Sequence, residues 1–504
     1  MQKAEEINVG SRSNERGLSQ LSWPYNGNSS LEHPRGLPSF TATLLLPLVA
    51  ALVFGALIVF AEQNAIAVSI ALLASIFIML DFRRGVVCLI VLMPLSASAL
   101  FPHSIGGITG LNPLNMLLAA TFASLLLNGN AAGTRAHFAT KPLVWLYIAP
   151  LVLAGAMGSQ HIGEVSAEMI EISPGQFNSV GSYLINVVLK PLMLVCFALL
   201  VAAAAARSKN PERLIVPMLI SISAMCMMTI AFVFLSGASL AELASSGART
   251  FLSPLGIHAN DLGRMYAVAY ALMLFTFAAS KDAGLRLLLA ASMVLVVIAL
   301  TLTFSRGAFF GFAVVNILFL ISRRQLMTLV LGALLLGGLV ILLPGAVFDR
   351  IGSGWGSDIN VISAGRVDDI WLPVLPELWR HPFFGNGLSS IAWSGAMRNG
   401  TMLAVGHAHN AYLGAALDAG FIGLSLICAY FLHIWKGFRH MSTNPAVPPV
   451  LQGFYGGAAA GLVSFLLAAF FGSSLTPAIE QIFLWLAIGM MYGQHRTTAK
   501  GTPC

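Results

Sequence analysis

The sequence predicts an all-α integral membrane protein with about fourteen transmembrane helices and a large, partly helical loop on the outer side. Only 9% of the 504 residues are charged, whereas soluble globular proteins carry about 25%. The mean hydropathy is +0.82, and apolar runs of about 20 residues, the length that crosses a bilayer, recur along the chain. This composition excludes an ordinary soluble enzyme, a disordered chain and a nucleic-acid-binding protein.

Fourteen apolar runs are candidates for transmembrane helices. They lie near 41–61, 64–80, 86–101, 113–128, 142–158, 183–206, 214–236, 263–280, 286–304, 307–321, 326–344, 410–435, 453–471 and 475–493. The first 38 residues are polar and too long for the charged start of a signal peptide, so we expect them to remain as a tail. The five cysteines have neither the spacing of a zinc site nor that of a disulfide framework.

The distribution of Lys and Arg predicts the orientation, because basic residues concentrate in cytoplasmic loops. With the N-terminus in the cytoplasm, every inner connection contains at least two of the 27 basic residues. The outer connections at 62–63, 102–112 and 159–182 contain none. This alternation supports the number of spans and places both termini in the cytoplasm.

The basic residues on the outer side are all arginine. They are Arg249, Arg264, Arg306, Arg350, Arg366, Arg380 and Arg398. The planar guanidinium binds phosphate through two hydrogen bonds and stays charged when partly buried, so this pattern indicates recognition of an anion. The alternative is pairing with outer carboxylates, which we expect for about half of these arginines. Such carboxylates include Asp349, Asp358, Asp368 and Asp369.

Residues 345–408 form the longest connection, and a loop of this length with its own aromatic residues is typical of a functional segment. Residues 366–371 predict the start of a helix, because two acidic residues would lie at the positive end of its dipole. Pro373 and Pro376 are expected to shorten or kink that helix. Residues 381–387 predict a turn rich in glycine.

The outer loop ends in two histidines, His407 and His409, followed by Asn410, which is a predicted N-cap for the next span. Residues at i and i+2 do not share a helix face. The two histidines are therefore expected to point in different directions, to make a poor metal pair, and to include one critical residue. The nearest carboxylate in the sequence is Asp418. The alternative is that one histidine caps a carbonyl or packs at the membrane interface.

Three segments carry a family pattern. Residues 303–310 contain Ser-Arg-Gly at the start of a span, residues 365–387 read Gly-Arg…Trp…His-Pro…Gly-x-Gly, and residues 407–423 read His-Asn-x-x-Leu…Gly-x-x-Gly. In this order they resemble the O-antigen ligase and O-antigen polymerase superfamily of bacterial envelope enzymes. Residues 249–260 resemble a fourth family segment, in which Ala259 here replaces a usual proline.

The resemblance covers about residues 245–430 and suggests how the chain is organised. The predicted parts are a cytoplasmic tail at 1–38, N-terminal transmembrane helices at 39–240, a ligase- or polymerase-like region at 241–430 that includes the loop 345–408, and C-terminal transmembrane helices with a short cytoplasmic tail at 431–504.

The resemblance implies a glycosyltransferase of the bacterial cytoplasmic (inner) membrane with its active site facing the periplasm. The donor would be a glycan on undecaprenyl diphosphate, and the acceptor a sugar hydroxyl on a lipid-linked repeat or on lipid A–core. The reaction would need no metal and no cofactor. Proteins that control chain length or export would be its partners.

Motif position assigns the roles. His409 would be the catalytic residue, and the diphosphate would be bound by Arg306, Arg366 and Arg249. Candidate supporting residues are His407, Asn410 and Lys190. Fixed arginines can neutralise a leaving diphosphate, and a neutral histidine has a suitable pKa for accepting a hydroxyl proton. A carboxylate base at Asp368 or Asp369 is the alternative.

Polymerisation of an exopolysaccharide or O-antigen is the favoured prediction, and ligation to lipid A–core is the alternative within the family. A transporter or flippase is the alternative of another class, since such proteins place ionisable groups within the membrane. The intramembrane candidates are Lys190, Asp418 and Glu480. A non-catalytic assembly factor is the third reading.

Overall fold

The structure is a computed structural model of the chain. It describes residues 64–98, 101–105, 108–109, 112–128, 140–237, 252, 255–323, 345, 352, 358–363, 365–472 and 474–500. These residues lie in one compact unit, Leu57–Cys504. The polar tail, the predicted spans at 41–61 and 326–344, and two of the outer arginines, Arg249 and Arg350, lie outside the described residues.

Helices dominate the described part of the chain. The first elements are α1 (Ala65–Leu80), α2 (Phe82–Leu95), a two-stranded antiparallel hairpin of β1 (Ser104–Ile105) and β2 (Ile108–Thr109), and α3 (Pro113–Asn128). Next come α4 (Lys141–Glu164), α5 (Ala167–Ile172), α6 (Val180–Ala206), α7 (Pro211–Ser236), α8 (Ala259–Ala279), α9 (Ala283–Leu302) and α10 (Arg306–Arg323). The last are α11 (Leu372–Arg380), α12 (Ala411–Thr443), α13 (Pro449–Phe471) and α14 (Ile482–Lys500).

Every predicted span that falls within the described residues overlaps one of these helices, although the last span, 475–493, begins seven residues before α14. Eight are long and apolar enough to cross a membrane: α4, α6, α7, α8, α9, α10, α12 and α13. Helices α1 and α3 are apolar but shorter. The described part of the chain is therefore all-α apart from one small hairpin, as expected of a multi-pass membrane protein, and the count of fourteen spans stays a prediction.

Small residues let the backbones of the central helices approach each other closely, as is common for helices in membranes. A Cβ atom on Gly457 of α13 would lie 2.4 Å from the carbonyl oxygen of Ala271 in α8. A Cβ atom on Gly489 of α14 would lie 2.4 Å from the carbonyl oxygen of Ala198 in α6. The first of these contacts holds α8, whose first turn contributes to the candidate site, against α13.

Helix α12 is interrupted at Gly420, whose φ of 68° and ψ of −178° are not helical. The interruption leaves two backbone N–H groups without helical acceptors. Carbonyl oxygens of the turn at 381–387 accept from these two groups instead. Phe421 N–H donates to the Pro382 carbonyl oxygen at 2.8 Å, and Ile422 N–H donates to that of Phe383 at 3.2 Å. The predicted turn is confirmed, and it is bonded to the backbone of a membrane helix.

The same turn also satisfies carbonyl groups on the other side of the interruption. Asn386 N–H donates to the Leu417 carbonyl oxygen at 2.9 Å, and Gly387 N–H donates to that of Asp418 at 3.0 Å. The Asp418 side chain accepts from the backbone N–H and hydroxyl of Ser390 at 3.0 and 2.9 Å. Asp418 thus holds the loop against α12.

The chain after the turn continues onto α4 and α6. Leu388 N–H donates to the Ala154 carbonyl oxygen at 2.9 Å, and the Tyr183 hydroxyl donates to that of Leu388 at 2.7 Å. Gly387 has a φ of 92°, and a Cβ there would lie 2.2 Å from Gly158 Cα. The turn is therefore enclosed by three membrane helices.

The two prolines change the loop helix less than expected. A π-helical turn, Val367–Trp371, leads directly into α11, which continues through Pro376 to Arg380. Because Pro373 has no N–H, it cannot donate to the carbonyl group of Asp369. That carbonyl oxygen instead accepts from Leu403 N–H at 2.9 Å.

Replacing Gly420 with Ala tests whether the interruption is required. A Cβ there would lie 2.2 Å from the Phe383 carbonyl group, and the backbone conformation is accessible almost only to glycine. We expect Gly420→Ala to destabilise the protein by at least about 2 kcal/mol, seen as a lower midpoint of thermal unfolding in detergent.

Gly414→Ala is the matched control. It makes the same change in the same helix, where no atom lies within 4 Å of the new Cβ, and helix propensity favours Ala by up to about 1 kcal/mol. Equal midpoints for the two variants would contradict the role given to Gly420.

Candidate active site

The segment 407–410 lies where the outer loop enters α12. Trp371 Nε1 donates to the Ala408 carbonyl oxygen at 2.8 Å, so the π-helical turn holds this segment. The Asn410 side chain accepts from the N–H groups of Tyr412 and Leu413, each at 3.1 Å. The predicted N-cap is thus confirmed, and it fixes the orientation of the residues before it.

The two histidines lie against each other, which corrects the expectation that they point apart. The ring centroids of His407 and His409 are 4.1 Å apart with an angle of 45° between the planes. The helix-face rule does not apply, because both residues precede the helix. His409 has a φ of 51°, in the left-handed region, where the backbone does not follow helical or extended periodicity.

Burial lowers the pKa of His407 to about 4 and is the largest cause of the shift. The negative charge of Asp261 acts in the opposite direction. Three positive groups add to the lowering, namely His258, Arg264 and Arg366. The start of α8 and the loop arginine therefore lie within electrostatic range of His407.

The direction of this shift determines when His407 is charged. The folded protein keeps the imidazole neutral above about pH 4, whereas an unfolded chain binds a proton near pH 6.5. The stability associated with this residue is therefore fully present above pH 6.5 and is lost as the pH falls toward 4. At physiological pH the ring beside His409 is uncharged.

The first turn of α8 supplies the groups that face His407. His258 is the N-cap and accepts from Asn260 N–H at 3.2 Å. Asp261 and Arg264 follow, one turn apart, and their side chains form an ion pair. The sequence placed Arg264 among the outer arginines that indicate anion recognition, but it assigned neither Asp261 nor Arg264 to the catalytic or diphosphate-binding residues.

Arg264 also forms a buried ion pair with Glu480, which lies just before α14. Its Nε and Nη2 atoms donate to Glu480 Oε2 at 3.0 and 2.5 Å. The two residues are only 4% and 3% exposed. Because 216 positions separate them in the sequence, no local pattern could have predicted this pair.

Arg306 is the first residue of α10 and is half-buried. Ser305 precedes it and accepts from Ala308 N–H at 3.3 Å, so the Ser-Arg-Gly segment begins the helix with a side-chain cap. A Cβ on Gly263 would lie 2.5 Å from the Cβ of Ala308. The start of α10 therefore packs against α8 beside Arg264.

Arg366 is half-buried and precedes the π-helical turn. Gly365, with a φ of 83°, donates from its N–H to the Asn360 carbonyl oxygen at 2.8 Å. The Asn360 side chain accepts from Asp368 N–H at 3.1 Å. Trp371 at the end of that turn donates to the Ala408 carbonyl oxygen, so Arg366 and the histidine segment belong to one hydrogen-bonded part of the loop.

Pairing with carboxylates explains three of the outer arginines. Besides Arg264, Arg380 pairs with Glu377 at 3.0 Å, and Arg398 pairs with Glu164 at 2.8 Å. None of these partners is among the carboxylates that the sequence suggested. Arg249, one of the predicted diphosphate ligands, lies outside the described residues.

The three intramembrane candidates do not form one group. Lys190 is exposed, and its Nζ donates to Asn186 Oδ1 at 2.5 Å within α6. Asp418 binds Ser390, and Glu480 binds Arg264. Of the three, only Glu480 belongs to the cluster near His407.

Backbone strain marks two positions at the candidate site and one position in the loop segment held against α12. In the described part of the chain, three residues other than glycine have a positive φ: Phe304, Ser389 and His409. Phe304 lies two residues before Arg306, and Ser389 lies next to the residue that binds Asp418. Such conformations cost about 1–3 kcal/mol each and concentrate at functional sites.

Within the described ranges, no three His, Cys, Asp or Glu side chains are grouped so as to hold a metal ion. The arrangement instead offers a half-buried histidine pair, a nearby arginine and a buried ion cluster. It has the groups needed to hold an anion and to accept a proton.

Comparison with known proteins supports the resemblance seen in the sequence. Residues 291–428 match the family model described as O-antigen ligase. This region is therefore similar to that family, and it contains Arg306, Arg366 and both histidines of the pair. No curated protein matched the chain. Asp261, Arg264 and Glu480 lie outside the matched region.

Removing the carboxylate of Glu480 tests the buried cluster. Glu480→Gln leaves Arg264 with less compensation for its buried charge, so we expect a loss of roughly 3 kcal/mol and a lower thermal midpoint in detergent. Arg398→Gln, which breaks an exposed pair, is the control and should cost about 1 kcal/mol or less. Similar losses in both variants would show that the cluster contributes no more than a surface pair.

Proposed function

We propose that this protein is a membrane glycosyltransferase that transfers a glycan from undecaprenyl diphosphate to a sugar hydroxyl on the periplasmic side of the cytoplasmic membrane. The observation that carries this proposal is that the π-helical turn preceded by Arg366 holds the histidine pair, because Trp371 of that turn donates to the carbonyl oxygen of Ala408, which lies between the two histidines. The match of residues 291–428 to the O-antigen ligase family supports the same reaction class.

The proposed reaction forms one bond and breaks one bond. The acceptor hydroxyl oxygen attacks the anomeric carbon of the donor sugar, and the bond between that carbon and the diphosphate oxygen breaks. The diphosphate leaves with the bonding electrons, while the hydroxyl proton moves to His409. Neutral imidazole suits this role near physiological pH.

Arginines would stabilise the charge that develops on the leaving diphosphate. Arg306 and Arg366 are each half-buried, which strengthens their interaction with an anion relative to bulk water. Their guanidinium groups can bind phosphate oxygens in pairs. Both residues lie at starts of helical segments, which also favours an anion. Arg249 is the third proposed ligand.

The position of His409 suits a lipid-linked donor. It precedes the first residue of α12 by two positions, so it lies where the membrane helix meets the outer loop. A polyprenyl tail would stay in the bilayer while its diphosphate lies at this level. The periplasmic orientation rests on the distribution of basic residues, and the inner-membrane location rests on the family resemblance; both belong to the proposal.

Two acceptors fit this chemistry. We favour a second lipid-linked repeat, which would make the protein a polymerase of exopolysaccharide or O-antigen. The description of the matching family, O-antigen ligase, favours lipid A–core as the alternative acceptor. Chemical analysis of a deletion strain separates them, because single lipid-linked repeats would accumulate without a polymerase and unattached long chains would accumulate without a ligase.

The transporter hypothesis gains little support. Its three ionisable candidates bind separate partners on different helices and do not surround a common path within the described residues. A variant that lacks His409 separates an enzyme from a non-catalytic assembly factor, because an assembly factor would still support polymer formation in that variant.

Reconstitution tests the proposed function directly. Purified protein in lipid vesicles would receive a lipid-linked repeat in the presence of EDTA, and products would be separated by size. We expect elongation without added metal, or transfer only after lipid A–core is supplied if the protein is a ligase. Absence of transfer to both acceptors, with and without metal ions, would contradict the proposal.

The geometry of the guanidinium groups predicts the effect of lysine substitutions. Arg306→Lys and Arg366→Lys keep the charge but lose paired hydrogen bonding to phosphate, so we expect severe loss of polymer at a normal protein level. Arg398→Lys, which changes an exposed ion pair, should retain activity. Full activity of both Arg306→Lys and Arg366→Lys would show that these arginines do not bind the diphosphate in pairs of hydrogen bonds.

The histidine pair predicts unequal effects. His409→Ala should reduce transfer about 10²–10⁴-fold while binding of labelled undecaprenyl diphosphate persists, because a general base contributes that much to rate. His407→Ala should reduce transfer less, since that ring contacts His409 but is itself a poor base with a pKa near 4. An essential His407 with a dispensable His409 would reverse the assignment.

A further inference from the structure

The exposed face of α11 is apolar, which is unusual for a helix in an extramembrane loop. Leu372, Pro376 and Trp379 follow one another at helical spacing and are exposed, while Val374 and Leu378 are buried on the opposite face. Helix α11 is therefore apolar on two opposite faces, one of which packs against the protein while the other is exposed.

The turn after α11 extends this apolar surface. Trp379, Phe383 and Phe384 are 69%, 65% and 66% exposed. Together with Leu372 and Pro376, they form the exposed group that we call the aromatic edge. Large aromatic side chains rarely cluster on a surface that faces only water, so the aromatic edge requires a partner.

The aromatic edge continues into the lipid-facing side of α12. The ring of Trp379 lies 6.3 Å from that of Phe421, and Ile422 N–H donates to the Phe383 carbonyl oxygen. Phe421 and Ile422 are themselves exposed, and they begin an exposed stripe on this membrane helix that continues to Leu432. The aromatic edge and the exposed stripe of α12 are therefore neighbouring parts of one apolar surface.

Helix length gives the level of this surface in the membrane. At about 1.5 Å per residue, residues 421–443 alone are long enough to cross a hydrocarbon core of about 30 Å. Lys436 and Arg439 lie near the far end, as expected for the cytoplasmic side. The interruption at Gly420 therefore lies near the outer boundary of the hydrocarbon core.

We propose that the aromatic edge is inserted into the interfacial layer of the outer leaflet, so that the lipid bilayer is the partner of this loop surface. Aromatic residues concentrate at that level of membranes. Arg380, next to Trp379, is exposed and can contact lipid phosphate groups from the same edge. The inference depends on α12 crossing the membrane and not on the proposed chemistry.

This contact has a consequence for the loop. Helix α11 follows directly after the π-helical turn that begins beside Arg366. Insertion of the aromatic edge holds α11 at the membrane surface and keeps Arg366 near the headgroup layer. A diphosphate attached to a membrane lipid would reside in the same layer.

Tryptophan quenching tests the insertion. Phe384→Trp and Asn399→Trp are each reconstituted into phosphatidylcholine vesicles with or without brominated acyl chains, and the emission of the unmodified protein is subtracted. Asn399 is exposed in the polar part of the same loop and is the matched control. We expect the emission added at position 384 to be quenched by brominated lipid and protected from aqueous iodide, with the reverse at 399.

Removal of a native ring provides an independent readout. Trp379→Phe should reduce the fraction of the protein's total tryptophan emission that brominated lipid quenches. This variant keeps an aromatic side chain at position 379, so it still tests the proposal if Phe384→Trp does not fold. Quenching of position 384 by iodide alone would overturn the proposal. Protection from both quenchers would also overturn it and would assign the edge to a protein contact such as a second copy.

Discussion

The interruption of α12 at Gly420 is the constraint on which the outer part of the molecule depends. Unsatisfied backbone groups at membrane depth cost several kcal/mol each, so a break in a membrane helix requires partners. The turn at 381–387 supplies acceptors for two N–H groups and donors for two carbonyl groups. The loop is therefore bonded to the membrane helix through its backbone, and glycines at 385, 387 and 420 permit the close approach.

This attachment sets the position of the candidate site. The turn fixes the end of α11, and the start of the same helical segment carries Arg366 and Trp371. Trp371 in turn holds the histidine segment through the Ala408 carbonyl group. From the membrane side, the buried pair of Arg264 and Glu480 joins α8 to the segment before α14. The loop and the helices thus lie around His407, where burial lowers the pKa of the imidazole.

The sequence alone was sufficient where a local pattern determines structure. Hydropathy located the helices, the Asn410 cap followed from its place before an apolar run, and glycine and proline located the turn. The sequence could not predict that the turn enters an interrupted helix, because a glycine in an apolar run also fits an unbroken one. It placed the two histidines apart because it applied helical geometry to residues that precede the helix. The pairing of Arg264 with Glu480 depends on tertiary packing alone.

The most direct test of this account is an experimental structure of the protein in a lipid nanodisc with undecaprenyl diphosphate bound. We predict diphosphate density within hydrogen-bonding distance of the guanidinium groups of Arg306 and Arg366, with the histidine pair facing the position where the sugar would attach. Diphosphate bound elsewhere, with the histidine pair remote from it, would contradict the proposed site.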